Sequence, residues 1–185
     1  MKQATTMLML LAGVWPAPAL AQANTKPAAA PQQSYPRLGD ALARAGTFST
    51  FLKLWNLAGP DRARSAKNAA AVPGQITIFA PTDAAFAAMG EKRVNALIAD
   101  KAKLRSFLRA HIVERPLLAS DMFDPVAQSR KTFRNAQGWV LGFSCNGRHA
   151  GMHNPVINGK ARVGAFQDVR TSEGTVHGID AVLVP

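Results

Sequence analysis

Apolar residues fall at helical spacing in the first half of this chain and at alternate positions in the second. Leu38, Ala41, Leu42 and Ala45 predict one helical turn pair, stopped by Gly46. Thr47 is placed to cap the next helix, whose face is Phe48, Phe51, Leu52 and Trp55, and Gly59-Pro60 ends it. The β-branched and aromatic run Gln75 to Ala80 reads as a buried strand broken by Pro81. Thr82 then caps a helix with Asp83 in its first turn, where a carboxylate suits the positive end of the dipole. Phe86 and Met89 point inward from it, and Val94, Leu97, Ile98, Leu104, Phe107 and Leu108 continue the helical period. His111 to Val113 reads as extended, and Ala119-Ser120-Asp121 as a turn. From Lys131 the period is two: Thr132–Asn135, Trp139–Phe143, Ala161–Phe166 and Ala181–Val184 are expected strands. Helices first and strands later argue for an α+β domain rather than a βαβ nucleotide fold.

The start of the chain follows neither pattern. Met7 to Val14 is an apolar run behind Lys2, followed by Pro16, Pro18 and small-x-small steps ending at Ala21 and Ala23. That is the layout of a secretory signal peptide over residues 1–23, cleaved after Ala21 or Ala23. The run is too short to span a bilayer, which takes about 20 apolar residues, and no transmembrane segment is expected after cleavage. Residues 24–36 are rich in Pro, Ala and Gln and read as a flexible linker. The folded domain is expected over 37–185, in the periplasm or secreted.

Charge narrows the partners. Lys and Arg number 22 against 11 Asp and Glu, a formal +11. Removing 1–23 takes away only Lys2, so the excess belongs to the mature chain. Export and the scatter of the basic residues from Arg37 to Arg170 argue against nucleic acid, and no RNA-type aromatic signature accompanies them. Anionic surfaces fit better, through salt-sensitive attraction.

Chemistry-bearing candidates are few. A single Cys excludes an intramolecular disulfide and any CxxC metal site. Cys145, His149, Met152 and His153 gather a thiol, two imidazoles and a thioether in nine residues. Those donors suit copper, zinc or haem iron. The glycines among them suit an irregular hairpin with no ligand. His111 is read as a buried imidazole bonded to backbone, and His177 as structural or partly exposed. Asp121 and Asp124 look like loop caps, and no HExxH, GxSxG or P-loop is present. No catalytic residue is expected, nor any cofactor beyond the pigment, haem or metal of the alternative reading below.

Three ordered motifs carry a resemblance. Thr77-Ile78-Phe79-Ala80-Pro81-Thr82-Asp83-Ala84-Ala85-Phe86 resembles the first signature of the fasciclin domain, and Gly174 to Pro185 (GTVHGIDAVLVP) the second. Leu108 to Val113 with Ser120-Asp121-Met122 resembles the family's central His segment. The resemblance implies a twisted β-wedge or sandwich with a helical layer. It implies adhesion and ligand binding outside the cell rather than catalysis. It also implies mainly structural roles for Phe79, Pro81, Thr82, Asp83, Phe86, His111, His177, Ile179, Asp180, Leu183 and Pro185. Ala110 stands where many animal members carry the Tyr of an integrin-linked Tyr-His pair, so that role is not carried over. The expected function is an exported adhesion or surface-interaction module, binding an anionic cell-surface or matrix component or a protein. The alternative is a small-ligand carrier (apolar pigment, haem or metal) using a cleft of the fold or the Cys145–His153 loop.

Overall fold

The structure is a computed structural model, and it describes residues 34–59, 75–124, 129–145 and 154–184. Two helices open it, α1 (Leu38–Ala45) and α2 (Ser49–Ala58). Strand β1 (Ile76–Pro81) leads into α3 (Asp83–Met89), α4 (Glu91–Ala99) and α5 (Lys101–Ala110). The short strand β2 (Ile112–Val113), a 3-10 turn (Ala119–Met122) and β3 (Phe123–Asp124) follow. The antiparallel run is β4 (Ser129–Arg134), β5 (Val140–Cys145), β6 (Pro155–Ile157) and β7 (Ala161–Arg162). The chain closes with β8 (Val169–Arg170) and β9 (Gly174–Ile179). The fold is α+β, with one sheet ordered β2-β1-β9-β8 and a second ordered β3-β4-β5-β6-β7.

The first sheet is built on a parallel pair. Strand β1 lies beside β9 in unbroken register, from Ile76 opposite Gly174 to Pro81 opposite Ile179. Each residue of both strands is buried, as expected of strands covered on two faces. On one face Ile76, Ile78, Ala80 and Val176 meet α1, α2 and α5 through Leu38, Leu42, Phe51, Leu54, Leu104 and Leu108. On the other face Phe79 and Ile179 meet Leu141, Phe143, Ile157 and Val163 of the second sheet. The pair is the partition between two cores. Bridges from Val113 to Asn135 and from Val163 to Ile179 stitch the sheets together.

Several expectations change. The last strand is Gly174–Ile179, not Ala181–Val184, because β9 takes its register from β1. Strand β7 stops at Arg162, and Val163 holds only a bridge where a strand to Phe166 was expected. Leu52 is half-buried while Leu54 is fully buried, so the buried face of α2 is turned from the expected one. Ser34 and Tyr35, assigned to the linker, bond Arg170: Ser34 bridges it and the Tyr35 N–H reaches its carbonyl at 2.8 Å. Among the described residues no helix is long and apolar enough to cross a membrane.

Candidate functional site

The strand-to-helix switch after β1 is a junction of three elements. Thr82 caps α3 as expected, its hydroxyl accepting the Ala85 N–H at 3.2 Å. Asp83 does something the local pattern does not reveal. Its carboxylate turns away from its own helix to the start of α2, where it accepts the N–H groups of Ser49 (3.1 Å) and Thr50 (2.8 Å) and the Ser49 hydroxyl (2.8 Å). Thr47 is therefore not the cap of α2. The N-cap is Phe48, whose side chain makes no capping bond, and Thr47 contributes its carbonyl, which accepts the Asp83 N–H at 2.8 Å. Burial opposes ionisation of Asp83. The hydrogen bonds from Thr50 and Ser49 outweigh it and hold the carboxyl below its ordinary pKa.

The two motif histidines are both fully buried. His111 lies against Phe107, with ring centres 4.5 Å apart. Its Nδ1–H donates to the Phe107 carbonyl at 2.8 Å, and its Nε2 accepts the Leu183 N–H at 3.0 Å. His177 stacks on Phe79 at 5.7 Å and holds the opposite tautomer. Its Nε2–H donates to the Leu117 carbonyl at 2.9 Å, and its Nδ1 accepts the Asp168 N–H at 3.3 Å. His177 is thus fully buried rather than partly exposed. Each ring uses one nitrogen as donor and one as acceptor, which only a neutral imidazole can do. Burial lowers the His111 pKa to about 4, against the opposing pull of the Phe107 carbonyl. Burial lowers His177 too, against the Leu117 carbonyl and the nearby Asp168 charge. With both nitrogens engaged inside the fold, neither ring is free to ligate a metal or move a substrate proton.

The other motif residues serve the same frame. Phe79 sits between Phe143 and His177, Phe86 packs on Phe107 at 6.0 Å, and Leu183 is buried in the second core. Asp180 accepts the Arg162 N–H at 2.7 Å and donates its own N–H to the Arg162 carbonyl at 3.1 Å. Pro81 and Ile179 end the paired strands side by side. Pro185 lies outside the described residues. So do His149, Met152 and His153, while the backbone of Cys145 closes β5 opposite Pro155. Among the described residues no group of three His, Cys, Asp or Glu side chains is placed to hold a metal.

An open groove of about 520 Å³ runs beside this junction. Phe48 and Phe166, with ring centres 5.0 Å apart, and Gly178 are among its lining residues. A Cβ on Gly178 would lie 2.6 Å from the Phe48 ring, so glycine is what lets the ring close over β9. The groove is not legible in the sequence, because its lining comes from four separate segments: Ala45 to Phe48, Thr82, Gly164 to Phe166 and Gly178 to Asp180. Arg115, outside every motif, places its guanidinium 5.2 Å over the Phe133 ring.

Comparison with known proteins gives these geometries a context. The family model described as the fasciclin domain matches residues 46–185. The pig transforming growth factor-beta-induced protein ig-h3 is 28% identical over 112 residues, 60% of this chain and 15% of its own length. The immunogenic protein MPB70 of Mycobacterium bovis is 31% identical over 112 residues, again 60% of this chain and 51% of its own. The chain thus spans about half or less of these relatives. A solved FAS1 domain pair from the insect cell adhesion molecule fasciclin I aligns with a TM-score of 0.47 at 20% identity. That alignment covers 78% of this chain and 43% of the other.

Proposed function

This chain belongs to the fasciclin domain family, and from that we propose that it is an exported, non-enzymatic surface-interaction module that binds an anionic cell-surface or matrix component. The carrying observation is uncompensated cationic charge. The formal excess is +11, and Arg37, Arg44, Lys53, Lys92, Arg93 and Lys160 are exposed without an ion pair to any described residue. Export rests on the signal-like residues 1–23. The absence of a catalytic role rests on the motif side chains: His111, His177, Asp83 and Asp180 spend their polar atoms on the fold.

Charge-driven binding has a simple signature. At about 0.01 M salt the screening length is roughly 30 Å and the whole face attracts, whereas at 1 M it is about 3 Å. Residues 24–185 are expected to be retained on acidic polysaccharide beads at low salt and released by a salt gradient. Equal retention at both ends of the gradient overturns the charge-driven reading. A visible absorption band in protein isolated from its native host would favour the carrier reading instead, with the groove beside Phe48 and Phe166 as its seat.

A further inference from the structure

We propose that His177 and Asp168 form a proton-operated latch between residues 116–121 and the segment joining β7 to β8, shut at neutral pH and released in mild acid while both cores stay folded. Three bonds make the latch. The His177 Nε2–H donates to the Leu117 carbonyl at 2.9 Å, and its Nδ1 accepts the Asp168 N–H at 3.3 Å. Asp168 Oδ1 then accepts the Ala119 N–H at 2.7 Å. The Asp168 backbone lies in the left-handed region at φ 57°, where a residue other than glycine is uncommon and is kept by its surroundings. In that conformation one residue serves both the ring and the turn.

A single proton undoes this arrangement. On Nδ1 it would face the Asp168 N–H, donor against donor. The carboxylate oxygen beside the ring is Asp168 Oδ1, 4.0 Å from Nδ1, and it is the same atom that holds Ala119. To pair with the imidazolium it must leave that N–H. The other charges of the neighbouring segments are committed or turned to the surface. Asp121 accepts the Leu118 N–H at 2.8 Å, Arg115 lies over Phe133, and Arg170 is exposed. Strand β1 presents the uncharged Phe79 ring. His111 has no such counterpart: burial and the Phe107 carbonyl are what act on it.

The segments on either side have holds that do not pass through the pair. The Leu117 N–H reaches the Thr77 hydroxyl at 2.8 Å, and that hydroxyl donates to the Arg115 carbonyl at 2.8 Å. Gly164 and Phe166 are bonded to Gly178 through backbone at 2.9 and 2.6 Å. Release therefore has fixed ends to pivot on. A cleft of about 340 Å³ marks where it would act, lined by Pro116, Leu118 and Asp121 of one segment and by Arg170, Thr171 and Thr175 of the β8–β9 hairpin. Parting the two segments widens that cleft.

Burial keeps the proton off His177 in the shut form, whereas a released ring meets water and regains a pKa of about 6.5. Acid thus favours the open form, and does so below pH 6.5. From pH 7.5 to pH 5 the open population is expected to rise by up to roughly thirtyfold. Native-state hydrogen exchange of residues 24–185, corrected for the intrinsic pH dependence of exchange, reads this at the Ala119 and Asp168 amides. Their protection is expected to fall by that factor, through an opening that low urea does not accelerate because it exposes little surface. The Phe79 N–H, bonded to the His111 carbonyl at 2.8 Å, is expected to stay better protected and to exchange through urea-sensitive unfolding. His177→Gln keeps a donor and an acceptor and cannot titrate, so the pH response of Ala119 and Asp168 is expected to disappear in it. Exchange of these two amides with the protection and urea slope of Phe79 means global unfolding alone and overturns the latch. Protection unchanged from pH 7.5 to pH 5, or a pH response that survives in His177→Gln, overturns it as well. Should that variant fail to fold, Asp168→Ala removes the acceptor of the Ala119 N–H and is expected to strip that amide of protection at pH 7.5. A parent-like Ala119 in Asp168→Ala overturns the latch.

Discussion

Asp83 shows how one side chain can look local and act at a distance. Its position after Thr82 suggests a first-turn carboxylate, yet its oxygens close the start of α2. Replacing it with Ala strips two backbone N–H groups and the Ser49 hydroxyl of their acceptor. A lost cap costs about 0.5–2 kcal/mol, so Asp83→Ala is expected to lower stability by about 1–2 kcal/mol in urea unfolding. Asp83→Asn, which keeps one oxygen, should lose less. No loss in either variant would mean that the Asp83 bonds to α2 do not hold in solution. Gly178 is the second residue whose identity is dictated by a neighbour. Its missing Cβ is the space in which Phe48 sits, and overpacking a core typically costs about 1–3 kcal/mol. Gly178→Ala is expected to lower the melting temperature and to perturb the groove, which the Phe48 and Phe166 resonances in an NMR spectrum would report. An unchanged melting temperature would show that Phe48 moves aside freely.

Among the elements, legibility follows how local the cause is. Gly46, in the left-handed region at φ 71°, ends α1 where the pattern places the stop. Thr82 caps α3 through its own third neighbour, and Leu104, Phe107 and Leu108 are buried at the spacing the period gives. Each of these depends on residues within one helical turn. Strand β9 does not. Its Gly174 and Gly178 look like breaks when the sequence is read alone, which moved the expected strand to Ala181–Val184. They are glycines because another chain segment passes close by: a Cβ on Gly174 would lie 2.2 Å from the Ile76 carbonyl oxygen. The two signature motifs lie far apart in the sequence, and their pairing as neighbouring parallel strands is a long-range fact that no window of the sequence contains. The groove, with Phe48, Phe166 and Gly178 among its lining residues, draws on four distant segments.

For the molecule as a whole, the two buried histidines tie its stability to pH. His111 stands by the helical core and His177 by the core between the sheets, each neutral because both its nitrogens are committed. Unfolded, each imidazole has a pKa of about 6.5. Folded, His111 lies at about 4 and His177 is also lowered. Above pH 6.5 both states are unprotonated there and stability is flat. As pH falls below 6.5 the unfolded chain takes up protons that the folded one refuses, so stability falls, and the loss from His111 levels off once pH passes below about 4. Linkage gives about 2 kcal/mol from His111 at pH 5 and about 3 kcal/mol at its limit. His177 adds in the same direction, partly offset by Asp168, the charged group beside it. A domain of this size has about 5–15 kcal/mol in total, so the loss is a sizeable share of it. The lowered Asp83 carboxyl acts only nearer its ordinary value of 3.8 and below, where its stabilisation is lost as it protonates, so the two windows separate. Urea midpoints are therefore expected to be level from pH 8 to 7 and to drop steadily from 6.5 to 4.5. A His111→Gln variant is expected to be less stable at pH 7 and to show a shallower drop. A midpoint unchanged between pH 7 and 4.5 would mean that the imidazoles are not held neutral, and that the two cores are not closed around them as the fold requires.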